Sequence, residues 1–211
     1  MLLNIIHPHT FKQVDKTLMI GSYEPYLERD EKVASFVERA LDSRVKILVH
    51  KYSDGDFIAD VLRESALIRD PIYKCLYDER AEAIATTSFG TPLPDRKPEE
   101  FSDEFWKAIQ EIFISLSDLA EKVAGHSPVL FIGGVLENCL ANAAGYSSDN
   151  YRKDGEKFFY IPELCVSLNK NEWAEVKPKL DERDIRPLGY EEALDFLSRE
   201  GAGARHLSKT F

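Results

Sequence analysis

A cysteine that follows two glycines is the strongest candidate for nucleophilic chemistry in this chain. Gly133 and Gly134 end an apolar run, and Cys139 comes six residues after Gly133. A cysteine in the first turn of a helix lies in the positive field of the helix N-terminus, which lowers the pKa of such a thiol. The spacing favours Cys139 as a nucleophile, with Gly133, Gly134 and Asn138 in a turn whose backbone amides face a developing oxyanion. The alternative is a small buried side chain between helix and sheet.

Two histidines at the end of another apolar run are candidate bases. His7 and His9 follow residues 2–6 and are separated by Pro8. An imidazole takes a proton from a thiol near neutral pH, so a Cys–His pair is sufficient for acyl transfer. We therefore expect His7 or His9 to serve as the base for Cys139.

The same histidines also fit a metal site. Residues at alternate positions of an extended segment point to one side, so His7 and His9 could bind a divalent metal together with His50. Two alternating histidines are also common as a polar pair at a strand end. Both interpretations are open, and a divalent metal is the only cofactor that these motifs suggest.

Polar residues after the run 45–50 are candidates for a ligand pocket. Lys51, Asp54 and Asp56 follow this run, and Lys51 could stabilise an anion. The alternative is a solvated strand end followed by a turn and a helix N-cap.

Alternating strand and helix patterns predict the elements that would position these residues. Short apolar runs predict strands at 2–6, 45–50, 83–89, 128–132, 157–161 and 185–188, and three- and four-residue spacing predicts helices at 30–41, 56–67, 101–123, 135–146, 171–184 and 191–197. This alternation predicts a three-layer α/β fold with a mostly parallel sheet and helices on both faces. Ligands of such sheets bind beyond the carboxyl ends of the strands, where all the candidate residues lie.

The length and composition indicate an ordinary globular protein. The chain has 211 residues, of which 44% are hydrophobic, and its net charge is −10. This acidic balance argues against nonspecific binding to nucleic acid or to an anionic membrane. We predict one α/β domain over residues 1–197 and a mobile C-terminal tail over 198–211.

The cysteines and the apolar runs predict a cytoplasmic protein. The three cysteines are widely spaced and form no CxxC pair, which argues against a disulfide framework and a zinc ribbon. No apolar run approaches the ~18 residues that span a bilayer, and the N-terminus lacks the basic start of a signal peptide.

The segment 131–144 resembles the isochorismatase-like cysteine hydrolases, a family that includes nicotinamidases. The family motif is a buried strand, a Gly-Val pair, a threonine and a nucleophilic cysteine near a helix start, and Gly133 and Cys139 have the same separation as in that motif. The resemblance implies an isochorismatase-like, Rossmann-like fold. It also implies hydrolysis of a small amide, ester or vinyl ether through Cys139, in a protein that forms homo-oligomers.

The chain departs from the family triad at two positions. His7 stands where the family has its general-base aspartate, and the stretch 85–87, Ala-Thr-Thr, stands where it has its catalytic lysine. Val135 or Leu136 also replaces the threonine of the cysteine motif.

Three functions are therefore compatible with the sequence. The first is a divergent cysteine hydrolase. The second is a non-catalytic descendant of the same fold that binds a small ligand. The third is an unrelated doubly wound protein that holds a phosphate or nucleotide at Gly133 and Gly134.

Overall fold

The computed structural model describes residues 1–8, 24–43, 45–52, 74, 78–87, 90–167 and 170–207. The predicted helix at 56–67 and the candidate residues His9, Asp54 and Asp56 lie outside these ranges, as does Cys75.

Within the described residues the chain forms one six-stranded sheet with helices on both faces. All strand pairs are parallel, and the strand order is β3-β2-β1-β4-β5-β6. The strands are β1 (Leu2–Ile6), β2 (Lys46–Tyr52), β3 (Ala81–Thr86), β4 (Val129–Gly134), β5 (Phe158–Val166) and β6 (Ile185–Pro187). The helices are α1 (Glu24–Asp42), α2 (Asp103–Gln110), α3 (Leu116–Val123), α4 (Ala141–Tyr151), α5 (Lys170–Glu182) and α6 (Tyr190–Leu207), and a short π turn (Leu136–Leu140) precedes α4. The predicted three-layer α/β fold is confirmed.

Two hydrophobic cores cover the two faces of the sheet. Every residue of β1 and of β4 is buried, as expected for central strands of a parallel sheet. Leu3 and Ile5 pack on one face with α1 and α6, whereas Leu2 and Ile6 pack on the other face with α3, the π turn, α4 and α5. Alternation along each strand thus decides which side chains share a face with the π turn.

The single helix predicted over 101–123 is two helices, α2 and α3. The segment between them approaches the sheet, where the Ile114 amide donates to the carbonyl of Ala85 at 2.9 Å and the Leu93 amide donates to the carbonyl of Ile114 at 3.0 Å. Ser115 then begins α3, because its hydroxyl accepts the Asp118 amide at 3.1 Å. These local bonds compete successfully with continuation of the helical pattern.

Other boundaries also differ from the sequence prediction. The first helix begins at Glu24, so Asp30 lies inside α1, where its carboxylate forms a buried ion pair with Arg29 instead of capping the helix. The last helix continues to Leu207, past the predicted end at residue 197.

None of the described helices combines the length and the apolar character that crossing a membrane requires.

Candidate active site

The sheet order reverses between β1 and β4, and doubly wound sheets bind their ligands at the carboxyl ends of the strands beside such a reversal. The register of the two strands pairs Ile6 with Gly133. His7, which follows Ile6, therefore lies beside the glycine turn that leads to Cys139. The topology brings together the first strand end and the cysteine segment that the sequence singled out.

His7 is held in an uncommon backbone conformation at the end of β1. Its φ is +39°, a left-handed value that side-chain-bearing residues adopt at a cost of order 1–2 kcal/mol. Its amide donates to the carbonyl of His50 at 3.0 Å, and its Nε2 lies 3.4 Å from the hydroxyl oxygen of Thr86. Both side chains are buried. Strained residues of this kind concentrate at functional sites, which supports His7 as a site residue.

His50 and Asn4 form a second buried polar pair beside His7. The His50 Nε2 donates to the Asn4 side-chain oxygen at 3.1 Å, so the proton of the neutral ring is on Nε2. Among the described residues, Nδ1 of His50 and the Asn4 amide nitrogen have no hydrogen-bond partner. Burial, and to a lesser extent the charge of the neighbouring His7 ring, lower the pKa of His50 to about 3. His50 is therefore neutral near pH 7 and does not compete with His7 as a base.

Gly133 and Gly134 are the last two residues of β4, whereas the sequence predicted a turn after a strand that ends at residue 132. Gly133 has φ +105°, and a Cβ at this position would lie only 2.0 Å from the carbonyl oxygen of Ile6. A Cβ at Gly134 would lie 3.2 Å from Cβ of Val166. The peptide bond between Gly134 and Val135 is cis. Glycine is required at Gly133 because no side chain fits between the two central strands there.

Cys139 lies in the π turn that follows. The amides of Asn138 and Leu140 donate to the carbonyl of Val135 at 3.1 and 3.0 Å. The predicted first helical turn after the glycines is therefore a wider π turn, and the Asn138 amide is engaged within it. Cys139 itself is 4% exposed and packs in the core on the same face as Leu48 and Ile84.

Polar side chains near the carboxyl ends of β2 and β3 lie on the face of the sheet where Cys139 packs. Because strand residues two apart point the same way, His50 follows Leu48 and Thr86 follows Ile84 onto the face where Cys139 packs. The neighbouring Lys51, at the end of β2, is half-buried. The contact between His7 and Thr86 was not predicted. One sequence signal pointed to this contact: Thr86 lies in the stretch 85–87, which stands where the family has its catalytic lysine.

Cys165 lacks the lowered pKa that a nucleophilic thiol requires. It pairs in register with Gly133, and its thiol donates to the carbonyl of Ile161 at 3.0 Å. Burial raises the pKa of Cys165 to about 12. These properties are those of a structural cysteine.

A metal at His7, His9 and His50 stays a prediction. In the part of the chain that the structure describes, no cluster of three or more His, Cys, Asp or Glu side chains is arranged to hold a metal ion. His9 lies outside that part.

A cleft of about 330 Å³ opens between α4 and α5 on the outer side of the π turn. Glu137 and Thr91 line it, together with Asp149 and Arg183, which form an ion pair at 2.9 Å. Cys139 is not among the residues that line this cleft.

Comparison with known proteins gives matches in structure but not in sequence. No protein-family model and no curated protein sequence matches the chain. YcaC from Pseudomonas aeruginosa superposes with a TM-score of 0.53 at 11% identity, covering 96% of this chain and 81% of YcaC. The nicotinamidase PncA from Bacillus subtilis superposes with a TM-score of 0.54 at 10% identity, covering 88% of this chain and 96% of PncA. The MAR1 ribonuclease from Caenorhabditis elegans gives a TM-score of 0.55 at 10% identity, covering 92% of this chain and 78% of MAR1. The chain has the α/β fold of the isochorismatase-like proteins.

Proposed function

We propose that the protein is a divergent cysteine hydrolase that acts on a small amide, ester or vinyl ether, with Cys139 as its nucleophile and His7 as its base. The observation that carries this proposal is the pairing of Ile6 with Gly133 across the switch point of the sheet. His7 follows Ile6, and Cys139 comes six residues after Gly133, so the register supports a shared site at the strand ends where doubly wound sheets bind their ligands.

For an amide or ester, the reaction has two steps. The Cys139 sulfur attacks the substrate carbonyl carbon while His7 takes the thiol proton, and His7 then protonates the leaving amine or alcohol as the carbon–heteroatom bond breaks. His7 next takes a proton from water, the oxygen of which attacks the thioester and releases the acid and the thiolate. The Asn138 amide donates to the carbonyl of Val135, so this amide is not proposed as the donor to the oxyanion.

A trapping experiment tests this proposal. The native protein is incubated with a panel of small amides, activated esters and vinyl ethers, and both product release and acylation of each cysteine are followed by mass spectrometry. We expect turnover and a covalent adduct on Cys139, which Cys139→Ala abolishes and Cys165→Ala retains. Adducts confined to other residues, or turnover unchanged in Cys139→Ala, would contradict it.

A non-catalytic descendant that binds a small ligand is the second candidate. The burial of Cys139, which is only 4% exposed, favours this alternative because a nucleophile must meet its substrate. A small-molecule panel that raises the Tm of the native protein without any turnover would support binding without catalysis. The structural matches disfavour the third candidate, an unrelated phosphate-binding protein.

We also infer that the protein forms homo-oligomers. Two large apolar side chains on and near α2 are exposed: Phe105 at 51% and Ile112 at 50%. Phe105 stacks edge to face on Phe101, with ring centroids 5.1 Å apart, so the aromatic surface is continuous. Apolar surface of this kind is typical of subunit contacts. YcaC from Escherichia coli, which also matches in structure, is described as an octameric hydrolase.

A further inference from the structure

The end of β3 and the turn that follows it touch both partners of the proposed catalytic pair. The turn is closed by the Thr87 amide donating to the Thr91 carbonyl at 2.9 Å and by the Gly90 amide donating to the Thr87 carbonyl at 2.8 Å. The two hydroxyl oxygens of Thr87 and Thr91 also lie 2.9 Å apart. These bonds fix the distance between the two ends of the turn.

Thr86, the last residue of β3 before this turn, contacts His7. Its hydroxyl oxygen lies 3.4 Å from Nε2 of the imidazole, and the two side chains are 0% and 1% exposed. A hydroxyl can donate or accept a hydrogen bond, and it carries no charge. It therefore orients the ring without opposing its protonation, which an ammonium group at this place would do.

At the second end of the turn, Gly90 contacts the backbone of Cys139. Gly90 has φ +77°, and a Cβ at this position would lie 2.5 Å from the carbonyl oxygen of Cys139. Only a glycine permits this close approach of the two backbones. The π turn and the β3 turn are thus packed against each other at the residue that carries the thiol.

From these two contacts we propose that Thr86 is a positioning residue for His7, and that Gly90, in the turn that follows Thr86, sets the place of Cys139 relative to that imidazole. The proposal rests on the proposed function, because it assigns these roles within the Cys139–His7 pair. Thr86 fixes which ring nitrogen faces the end of β3, namely Nε2. Thr86 and Gly90 thereby take the place of the catalytic lysine in the family triad.

The test of Thr86 compares Thr86→Val, which removes the hydroxyl at nearly constant volume, with Thr86→Ser, which keeps it. The ¹⁵N resonances of the His7 ring are recorded across pH 5–9, together with the rate of Cys139 alkylation. Losing one hydrogen bond corresponds to about a three- to tenfold effect. We expect Thr86→Val to shift the Nε2 resonance, mix the two tautomers and slow alkylation by about that factor, and Thr86→Ser to stay within about twofold of wild type.

Thr87→Val is the matched control, since it removes a neighbouring hydroxyl that bonds Thr91 and not His7. It should leave the His7 resonances unchanged. Unchanged His7 resonances in Thr86→Val would overturn the proposal, whether or not Cys139 reacts. A native Cys139 that never reacts, with His7 resonances that still respond to Thr86→Val, would instead overturn the proposed hydrolase while retaining the role of Thr86.

Gly90→Ala tests the second contact. The added methyl group must displace the Cys139 carbonyl, so Cys139 alkylation should change while the His7 tautomer is retained. An alkylation profile identical to wild type in folded Gly90→Ala would contradict the role given to Gly90.

Discussion

Gly133 and Ile6 face each other across the two central strands so closely that a Cβ on Gly133 would lie 2.0 Å from the Ile6 carbonyl oxygen. This contact holds the end of β1 against the turn that leads to Cys139. It explains why the chain places a glycine with φ +105° at the switch point of the sheet.

Gly133→Ala should therefore destabilise the fold strongly. The substitution combines an unfavourable left-handed φ with a clash against backbone, so we expect a loss of roughly 3–5 kcal/mol in the free energy of unfolding. Urea denaturation measures this loss. Gly125→Ala is the control, because Gly125 has φ +79° and no atom within 4 Å of an added Cβ. Its cost should be about 1 kcal/mol. Equal losses in the two variants would show that the Ile6 contact has no energetic role.

The stability of the protein should fall as the pH falls, because His50 is buried in its neutral form. The pKa of His50 is about 3 in the folded chain, against 6.5 for an ordinary histidine. Between these values the unfolded chain binds a proton that the folded chain does not, so stability is fully present above about pH 6.5 and is lost progressively toward pH 3. At pH 4.5 the loss from this residue amounts to roughly 3 kcal/mol.

His50→Gln tests this expectation, since glutamine is neutral and can still donate to Asn4. Urea denaturation at pH 7.0 and pH 4.5 gives the change in unfolding free energy for both proteins. The wild type should lose roughly 3 kcal/mol more than the variant over this interval. The same pH dependence in both proteins would mean that His50 does not carry the effect.

Cys165 should resist alkylation in the folded protein. Its pKa of about 12, against an ordinary 9.0, lowers its thiolate fraction by roughly a thousandfold at pH 8. Peptide mass mapping after brief treatment with iodoacetamide should therefore find Cys165 unmodified in native protein and modified in urea. Rapid modification under native conditions would contradict the assignment of Cys165 as a buried structural thiol.

The exposed apolar side chains near α2 should matter for association rather than for folding. Phe105→Ser combined with Ile112→Ser should lower the molar mass measured by light scattering, while the unfolding free energy of the subunit changes by less than about 1 kcal/mol. Phe101 is left unchanged in this experiment. A wild-type protein that is monomeric at all concentrations would refute the oligomer.

The fold was predictable because its central strands carry continuous apolar runs. Residues 2–6 and 128–132 read as buried strands, and the structure places β1 and β4 at the centre of the sheet. The break between α2 and α3 was not predictable, because it depends on Ile114 bonding to Ala85, which is distant in sequence. Periodicity within one segment contains no information on such a partner.

The site was predictable only in part, for a similar reason. Glycine spacing identified the turn before Cys139, and the strand end identified His7. The contact of His7 with Thr86 joins positions 79 residues apart, and the Gly90 contact depends on backbone shape. The π turn was missed because its hydrogen bonds end on Val135, whereas the helical pattern of 135–146 predicts an ordinary helix start.

The pH dependence of Cys139 alkylation tests the central claim most directly. Rates are measured at each cysteine by peptide mass between pH 5.5 and pH 9 in the wild type and in His7→Gln, with native folding checked by circular dichroism. We expect Cys139 to react below pH 7 and His7→Gln to slow this reaction by about tenfold or more, because the variant lacks the general base. A Cys139 that reacts only after unfolding, or at a rate independent of His7, would contradict the account.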